Sequence, residues 1–272
     1  MKVILKAIFN KLGYTVIKIK PEKIFDNQKI IMPTDNKFWD KPLKFYQTPI
    51  GNYYLPADAT ADLIATKMRE GEIFEPAIVD VARQYIKKGS LVLDVGANFG
   101  QMSLIFSQLV GEQGQVLSLE ADDYIFYVLE QNIKANNCQN IQPIFGAVYN
   151  KTGKVMIYPV QDFDKFICYG SFGLDPNTTE GRQVQTIAID DLKIDREVSF
   201  MKVDVQGSDL FAMQGAIETI KKYRMPIIFE FEQQFQKQFN TCFQDYLDFI
   251  ASINYKVEEV VDNINYLIVP KV

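Results

Sequence analysis

The sequence predicts an α/β protein: a mostly parallel sheet wound with helices on both faces, with one antiparallel strand near the C-terminus. Three observations predict it. Short apolar runs near residues 91–95, 116–120, 141–145, 200–204 and 227–231 are each followed by helical patterning, except where residues 149–198 intervene. That alternation is the pattern of parallel strands joined by crossover helices. The first run ends in a glycine-rich turn, LVLDVGANFG over residues 91–100. The final stretch, YKVEEVVDNINYLIVPKV, reads as two strands about a tight turn at Asp262 and Asn263, which sets an antiparallel strand beside the parallel ones.

The elements follow in chain order. MKVILKAIFNKLGY has the outline of a short amphipathic helix, with Val3, Ile4, Ala7 and Ile8 on one face and Lys2, Lys6 and Lys11 elsewhere. It is too short to span a bilayer, and Lys6 interrupts the apolar run with no small-residue cleavage site after it. Docking on the main domain or on a second subunit is expected, so a homodimer formed through this extension is one predicted arrangement. A peripheral lipid contact is the other. From Tyr14 to Pro56 the pattern is choppy, broken by Pro21, Pro33, Pro42 and Pro49, with strand-like pieces YTVIKIK and GNYYL. Residues 1–74 are therefore expected to form an N-terminal extension or lid, and residues 75–272 the main domain.

DATADLIATKMREG predicts a helix capped by Asp58 or Thr60 and ended by Gly71. A second helix over residues 75–87 has Pro76 in its first turn and Ile78, Val79, Ala82 and Ile86 on one face. It leads directly into the first central strand.

Composition removes several function classes. Hydrophobic residues make up 47% and charged residues 23% of the 272, which is ordinary globular usage. With 34 acidic against 29 basic residues and no basic cluster longer than a Lys-Lys pair, the chain lacks the electrostatic footprint of nucleic-acid binding. There is no histidine, which removes the commonest general base and transition-metal ligand. Cys138, Cys168 and Cys242 are too few and too scattered for a zinc site. They are expected to be small buried or half-buried apolar residues in a reducing cytoplasm.

The turn after the first strand carries the chemistry. A glycine turn between a buried strand and a helix lets a ligand approach the main chain closely. The dinucleotide fingerprint G-x-G-x-x-G requires glycine where this chain has Asp94 and Phe99; what stands here is D-x-G-x-x-x-G. S-adenosylmethionine has no phosphates but carries an ammonium, which Asp94 can face, and a carboxylate, which backbone N–H groups around Gly96, Ala97 and Asn98 can face. Twenty residues past Gly100, VLSLEA ends a second strand in Glu120, suitably placed to accept hydrogen bonds from ribose hydroxyls. S-adenosylmethionine, with S-adenosylhomocysteine as product, is the expected cofactor; a nicotinamide cofactor is the alternative.

Several phrases carry a wider resemblance: DVGANFG, VQTIAIDDL at 184–192 and KVDVQGSDLFAMQGA at 202–216. Over about residues 70–232 the chain resembles the FkbM-type family of S-adenosylmethionine-dependent methyltransferases. The resemblance implies a Rossmann-like class I methyltransferase sheet. Gln206 stands where that family commonly has glutamate, which removes one carboxylate from the site.

In open α/β sheets, ligands lie beyond the carboxyl ends of the strands where the strand order reverses. Asp94, Glu120, Gly146, Ala147, Asp204 and Glu230 all fall at such ends. The expected cofactor-binding set is Glu75, Asp94, Gly96, Ala97, Asn98, Gly100, Glu120, Ala121, Gly146, Ala147 and Asp204. Without histidine, a hydroxyl acceptor needs Asp204, Glu230, Lys202 or a metal-bound hydroxide as base. Asp204 and Glu230 are the expected catalytic pair. Glu230 and Glu232 are expected on one face of the last parallel strand. A divalent ion held by Asp204 and Glu230 is possible in principle but is not favoured.

The expected activity is O-methylation of a small molecule or natural product: a sugar or polyketide hydroxyl, or a peptide carboxylate, which needs no base. A cofactor-binding partner without catalysis is the alternative suggested by Gln206. Phe166, Tyr169 and Phe172, with Tyr53, Tyr54 and Phe74, are candidates to line an apolar acceptor pocket or to fill the core.

Overall fold

A computed structural model of the protein describes residues 42–159 and 168–272. The chain begins with β1 (Leu43–Thr48), β2 (Gly51–Pro56), α1 (Leu63–Glu70) and α2 (Pro76–Tyr85). The central alternation runs β3 (Leu91–Val95), α3 (Gln101–Val110), β4 (Gln115–Glu120), α4 (Asp123–Ala135) and β5 (Ile141–Phe145). After β6 (Ala147–Val148), β7 (Val155–Tyr158) and β8 (Arg182–Ile187) it resumes with β9 (Val198–Val203), α5 (Asp209–Gln214), α6 (Ile217–Tyr223) and β10 (Ile227–Glu230). α7 (Gln233–Phe239), α8 (Phe243–Ser252), β11 (Tyr255–Val260) and β12 (Asn265–Pro270) complete it. The five predicted parallel strands and the C-terminal hairpin are all present.

Strands β11-β12-β10-β9-β3-β4-β5 form one sheet in that order. β3 pairs in parallel with both β4 and β9, and β12 lies antiparallel on β10 with Ile227 opposite Ile268. Every side chain of β3, β9 and β10 is buried, because helices cover both faces. That is why these strands appear in the sequence as mostly apolar runs instead of alternating ones, broken only by Ser199 and by the buried ionisable residues Asp94, Lys202 and Glu230. The chain leaves β3 toward β4 and β5, then crosses back to β9 and β10. The reversal falls between β3 and β9, so the carboxyl ends of these two neighbours open the crevice in which such sheets bind ligands.

The β1–β2 hairpin and α1 share the core of the main sheet: Tyr53, Leu55, Ala65 and Met68 are buried in one cluster with Phe99 and Leu129. Two asparagines, Asn132 in α4 and Asn136 at its C-cap, hold the hairpin. Asn136 Oδ1 accepts from Asn52 N at 2.8 Å, and Asn132 Oδ1 accepts from Tyr54 N.

Some local expectations change. The N-cap of α1 is Asp62, whose Oδ1 accepts from Ala65 N at 2.7 Å, in place of Asp58 or Thr60. Gly71 ends the helix as expected, in a left-handed conformation at φ +75°. Glu232 lies past the end of β10 and opens α7, so it does not share a strand face with Glu230. Cys138 and Cys168 are half-buried, but Cys242 is exposed and closes the N-terminus of α8 in a capping box with Asp245. The amphipathic N-terminal segment, the YTVIKIK piece and Phe166 lie outside the described residues. Among the described residues no helix is long and apolar enough to cross a membrane.

Candidate active site

At the end of β3 the chain must turn sharply into α3 while lying against the end of β9. Gly96 makes this possible: at φ +80°, a Cβ built there would meet the Asp204 carbonyl oxygen at 1.8 Å. Asn98 follows in the left-handed region at φ +50°, and its Oδ1 accepts from Phe99 N at 2.7 Å. Asn and Asp tolerate that region better than other residues. The turn is then tied to the neighbouring strand. Glu120 Oε2 accepts from Asn98 N at 2.9 Å, while its Oε1 accepts from Ala121 N and Asp122 N at 2.8 and 2.9 Å. Burial still pushes the Glu120 carboxyl up to about 7, against the pull of these N–H groups.

The ends of β9 and β10 carry a cluster of ionisable side chains. Lys202 Nζ donates to Asp204 Oδ2 at 2.9 Å; the lysine side chain is 5% exposed and the aspartate 23%. Gln206 Nε2 donates to Asp204 Oδ1 at 3.0 Å and to Glu230 Oε2 at 2.8 Å. Burial alone would raise the Asp204 carboxyl, but the Lys202 ammonium and the surrounding hydrogen bonds outweigh it and hold it below its ordinary range. Glu230 responds in the opposite direction. Burial, then the negative charges of Asp204 and Asp209, push it up to about 11, so it holds its proton at neutral pH. Gln206 sits at φ +52° and Gly207 at φ +95°. Asp209 fixes this unusual turn, its two carboxylate oxygens accepting from Val205 N and Gly207 N at 3.2 and 3.0 Å.

A loop over residues 169–174 roofs the space between these two ends. Gly170 and Gly173 let it come down close: added Cβ atoms would meet Asn98 Nδ2 at 2.1 Å and the Gln206 carbonyl at 2.8 Å. Tyr158 Oη donates to the Phe172 carbonyl at 2.6 Å, and Arg182 lies over the Tyr158 ring at 5.2 Å. Arg182 also pairs with Asp122 at 2.6 Å and with Asp123. From the other side, Tyr169 N donates to the buried Asp62 and its hydroxyl to Asp58. Between them lies a cleft open to solvent, with about 590 Å³ of empty space when its mouth is included.

Gly96, Asn98, Glu120, Ala121, Gly146, Ala147 and Asp204 line this cleft. Five other candidates lie outside its wall. Asp94 is fully buried beneath it, with Oδ2 accepting from Ser103 and Oδ1 without a partner; burial pushes it up to about 6. Ala97 is in the core, and Gly100, at φ +88°, caps α3. Glu75 precedes α2 and accepts from Asn265 Nδ2 at 3.3 Å; burial pushes it up to about 7. Glu230 reaches the cleft through Gln206. Tyr169 and Phe172 are in the wall, while Tyr53, Tyr54 and Phe74 are not. No cluster of acidic or cysteine side chains among the described residues is arranged to hold a metal ion.

Sequence reasoning missed the roof's supports: Tyr158, Arg182, Asp62 and the Asp122–Asp123 pair. It also missed the part played by Asp209. Of these, Asp62 and Asp122 carried a local signal, each an aspartate at the start of a helical pattern.

A curated relative, the tRNA 4-demethylwyosine(37)-methyltransferase Taw21 of Saccharolobus solfataricus, is 24% identical over 82 residues; the match spans 30% of this chain and 29% of that protein. Among solved structures, the methyltransferase FkbM from Methylobacillus flagellatus KT aligns with a TM-score of 0.43 at 16% identity, over 70% of this chain and 49% of that one. An S-adenosylmethionine-dependent O-methyltransferase from Thermotoga maritima aligns with a TM-score of 0.46 at 14% identity, over 84% and 85%. The profile of the FkbM methyltransferase domain matches residues 94–257, from the aspartate at the end of β3 into β11. With more than half of its length in that match, the chain belongs to the FkbM methyltransferase domain family.

Proposed function

We propose that this protein transfers a methyl group from S-adenosylmethionine to a hydroxyl of a small molecule, glycan or peptide-borne acceptor. The fit to the cofactor rests on the β3–β4 half of the cleft. A glycine turn leaves the main chain accessible, Glu120 lines the wall with its Oε2 still able to accept from a hydroxyl, and Asp94 Oδ1 lies below with no partner among the described residues. Gly96, Asn98 and Glu120 would hold it. When bound, the cofactor supplies an electrophilic methyl group on a sulfonium.

The observation that carries the hydroxyl reading is Asp204: a partly exposed carboxylate, kept ionised by Lys202, at the cleft wall. An acceptor hydroxyl that donates to Asp204 is oriented by that bond, which supplies much of the catalytic gain in a displacement. As its oxygen forms a bond to carbon, the hydroxyl proton becomes strongly acidic. A carboxylate of low basicity then suffices to take it. Glu230, already protonated, steadies the cluster and does not compete for that proton.

The same wall disfavours an anionic acceptor. Among its described residues are Glu120 and Asp204 but no lysine or arginine, and Lys202 is already paired with Asp204 behind it, so a peptide carboxylate or an RNA phosphate would find no cation of its own there. Gln206 does not weaken the catalytic reading, since its amide joins two acids that a third carboxylate would repel.

Incubating the protein with S-adenosylmethionine and a panel of sugars, polyols, phenols and peptides tests the proposal. Release of S-adenosylhomocysteine with a matching one-methylene mass gain on a hydroxyl compound is expected. Methyl transfer to carboxylates or amines, with none to hydroxyls, would overturn it.

A further inference from the structure

Gln206 has a feature that the reaction above leaves unused. Its amide nitrogen is spent on Asp204 Oδ1 and Glu230 Oε2. The reverse orientation would set the amide carbonyl against the Asp204 carboxylate, so electrostatics fix which way the group points. The carbonyl oxygen is left over, with no donor among the described residues, on a side chain that lines the cleft next to Asp204. The backbone supports this arrangement at some cost. A glutamine at φ +52° is in a sparsely populated region, and such strain is retained where the surroundings over-determine it. Here Asp209 grips the turn from below, and Gly173 packs on it from above.

Asp204 and Gln206 thus present two acceptor oxygens one amide width apart. The wall beside them offers apolar and aromatic surface from Phe172, Tyr158, Tyr169 and Leu174. Tyr158 spends its hydroxyl proton on the Phe172 carbonyl. Adjacent acceptors beside aromatic faces suit a molecule with hydroxyls on neighbouring carbons and C–H faces to pack.

We infer that the acceptor is a vicinal diol, as on a sugar ring or cyclic polyol, with one hydroxyl on Asp204 and its neighbour on the Gln206 carbonyl. Gln206 is then a specificity-determining residue: it reads the hydroxyl that is not methylated. This inference rests on the hydroxyl-methylation reading for its biological meaning, but it is tested by binding alone.

The probes are trans-cyclohexane-1,2-diol, its cis isomer, cyclohexanol and cyclohexyl methyl ether. They are titrated by ligand-observed NMR into the full chain saturated with S-adenosylhomocysteine. One neutral hydrogen bond should make at least one diol bind about three- to tenfold tighter than cyclohexanol. In Gln206→Met and Gln206→Leu that advantage should disappear, while cyclohexanol should bind as it does to the natural protein. Thermal melting and S-adenosylhomocysteine affinity verify that each variant is folded.

Equal binding of both diols and cyclohexanol to the natural protein overturns the inference without any variant. So does a diol preference that survives Gln206→Met. If the diol preference is found but hydroxyls are never methylated, the proposed reaction fails and the diol site stands. If hydroxyls are methylated with no diol preference, the reverse holds.

Discussion

At the ends of β3 and β4 the cleft is made chiefly of main chain: a glycine turn, a left-handed asparagine, and one carboxylate that gathers three backbone N–H groups. At the ends of β9 and β10 it is made of side chains, with Lys202, Asp204, Gln206 and Glu230 holding one another in a buried cluster. The contrast fits two tasks. A ligand of fixed shape can be met by backbone groups, which are cheap to orient and do not titrate. A proton to be accepted requires side chains whose charges are set against each other, and that requires burial. The first half tolerates little change in shape; the second tolerates little change in charge.

The contrast breaks most visibly if Asp204 can be neutralised without consequence. Asp204→Asn should retain cofactor binding while lowering turnover by about 10²–10⁴, the scale of a general acid–base group. It also leaves Lys202 buried without its counter-ion, an imbalance worth roughly 3–5 kcal/mol when a buried pair loses one partner. The double variant Lys202→Met/Asp204→Asn should recover stability and not turnover. Near-normal turnover in the single variant would make Asp204 structural.

Gly96→Ala tests the other half through shape alone. The new methyl would run into the Asp204 carbonyl at a positive φ, with an expected loss of about 3 kcal/mol in stability by urea titration. An unchanged unfolding midpoint would mean that the turn adapts and that its shape is not limiting.

Glu120→Ala should weaken S-adenosylmethionine binding about a hundredfold, from the loss of two charge-assisted hydrogen bonds. Titration calorimetry reads this directly, and full affinity in a folded variant would remove Glu120 from the cofactor site.

The smallest effect concerns pH. Burial raises Glu120 from about 4.5 to about 7 in the folded protein. Its contribution to stability is therefore complete below the unfolded value and is lost as pH rises through about 7. Stability of the cofactor-free protein should fall between about pH 4.5 and pH 7 in part because of Glu120. Replacing it with glutamine should flatten that slope by on the order of 1 kcal/mol per pH unit. A slope unchanged by Glu120→Gln would mean that the carboxyl titrates as it does in the unfolded chain. Asp204 acts in the opposite sense: its depressed carboxyl supports the fold above its unfolded value and ceases to do so in acid.

The same contrast explains what was legible in the sequence. Strands β3, β9 and β10 announced themselves because both faces are covered, so every position is buried and most are apolar. The glycine turn and Glu120 were legible because main-chain chemistry restricts residue type at fixed spacing. Asp204 was legible by its position at a strand end. The state of Glu230 was not, since its proton depends on Asp204 and Asp209 approaching from elsewhere in the chain. Asp62 was missed as a cap because Asp58 and Thr60 are equally good capping types nearby. Only the contact with Tyr169, 107 positions away, shows what Asp62 holds. Arg182 carried no local signal at all, because its partners Asp122 and Asp123 are 60 and 59 positions earlier.

Arg182 has one more consequence, for how such a protein can change over time. The segment between β6 and β8 leaves the main sheet after Gly146, builds its own small three-stranded sheet, and carries the roof of the cleft. Arg182 closes that excursion, clamping it to the first turn of α4 directly behind Glu120. A stretch held in this manner can be exchanged as a cassette: its interior can be rewritten for a new acceptor while its two anchor points stay put. Chimaeras cut at Gly146 and Arg182 should therefore fold and bind cofactor where cuts inside the excursion do not.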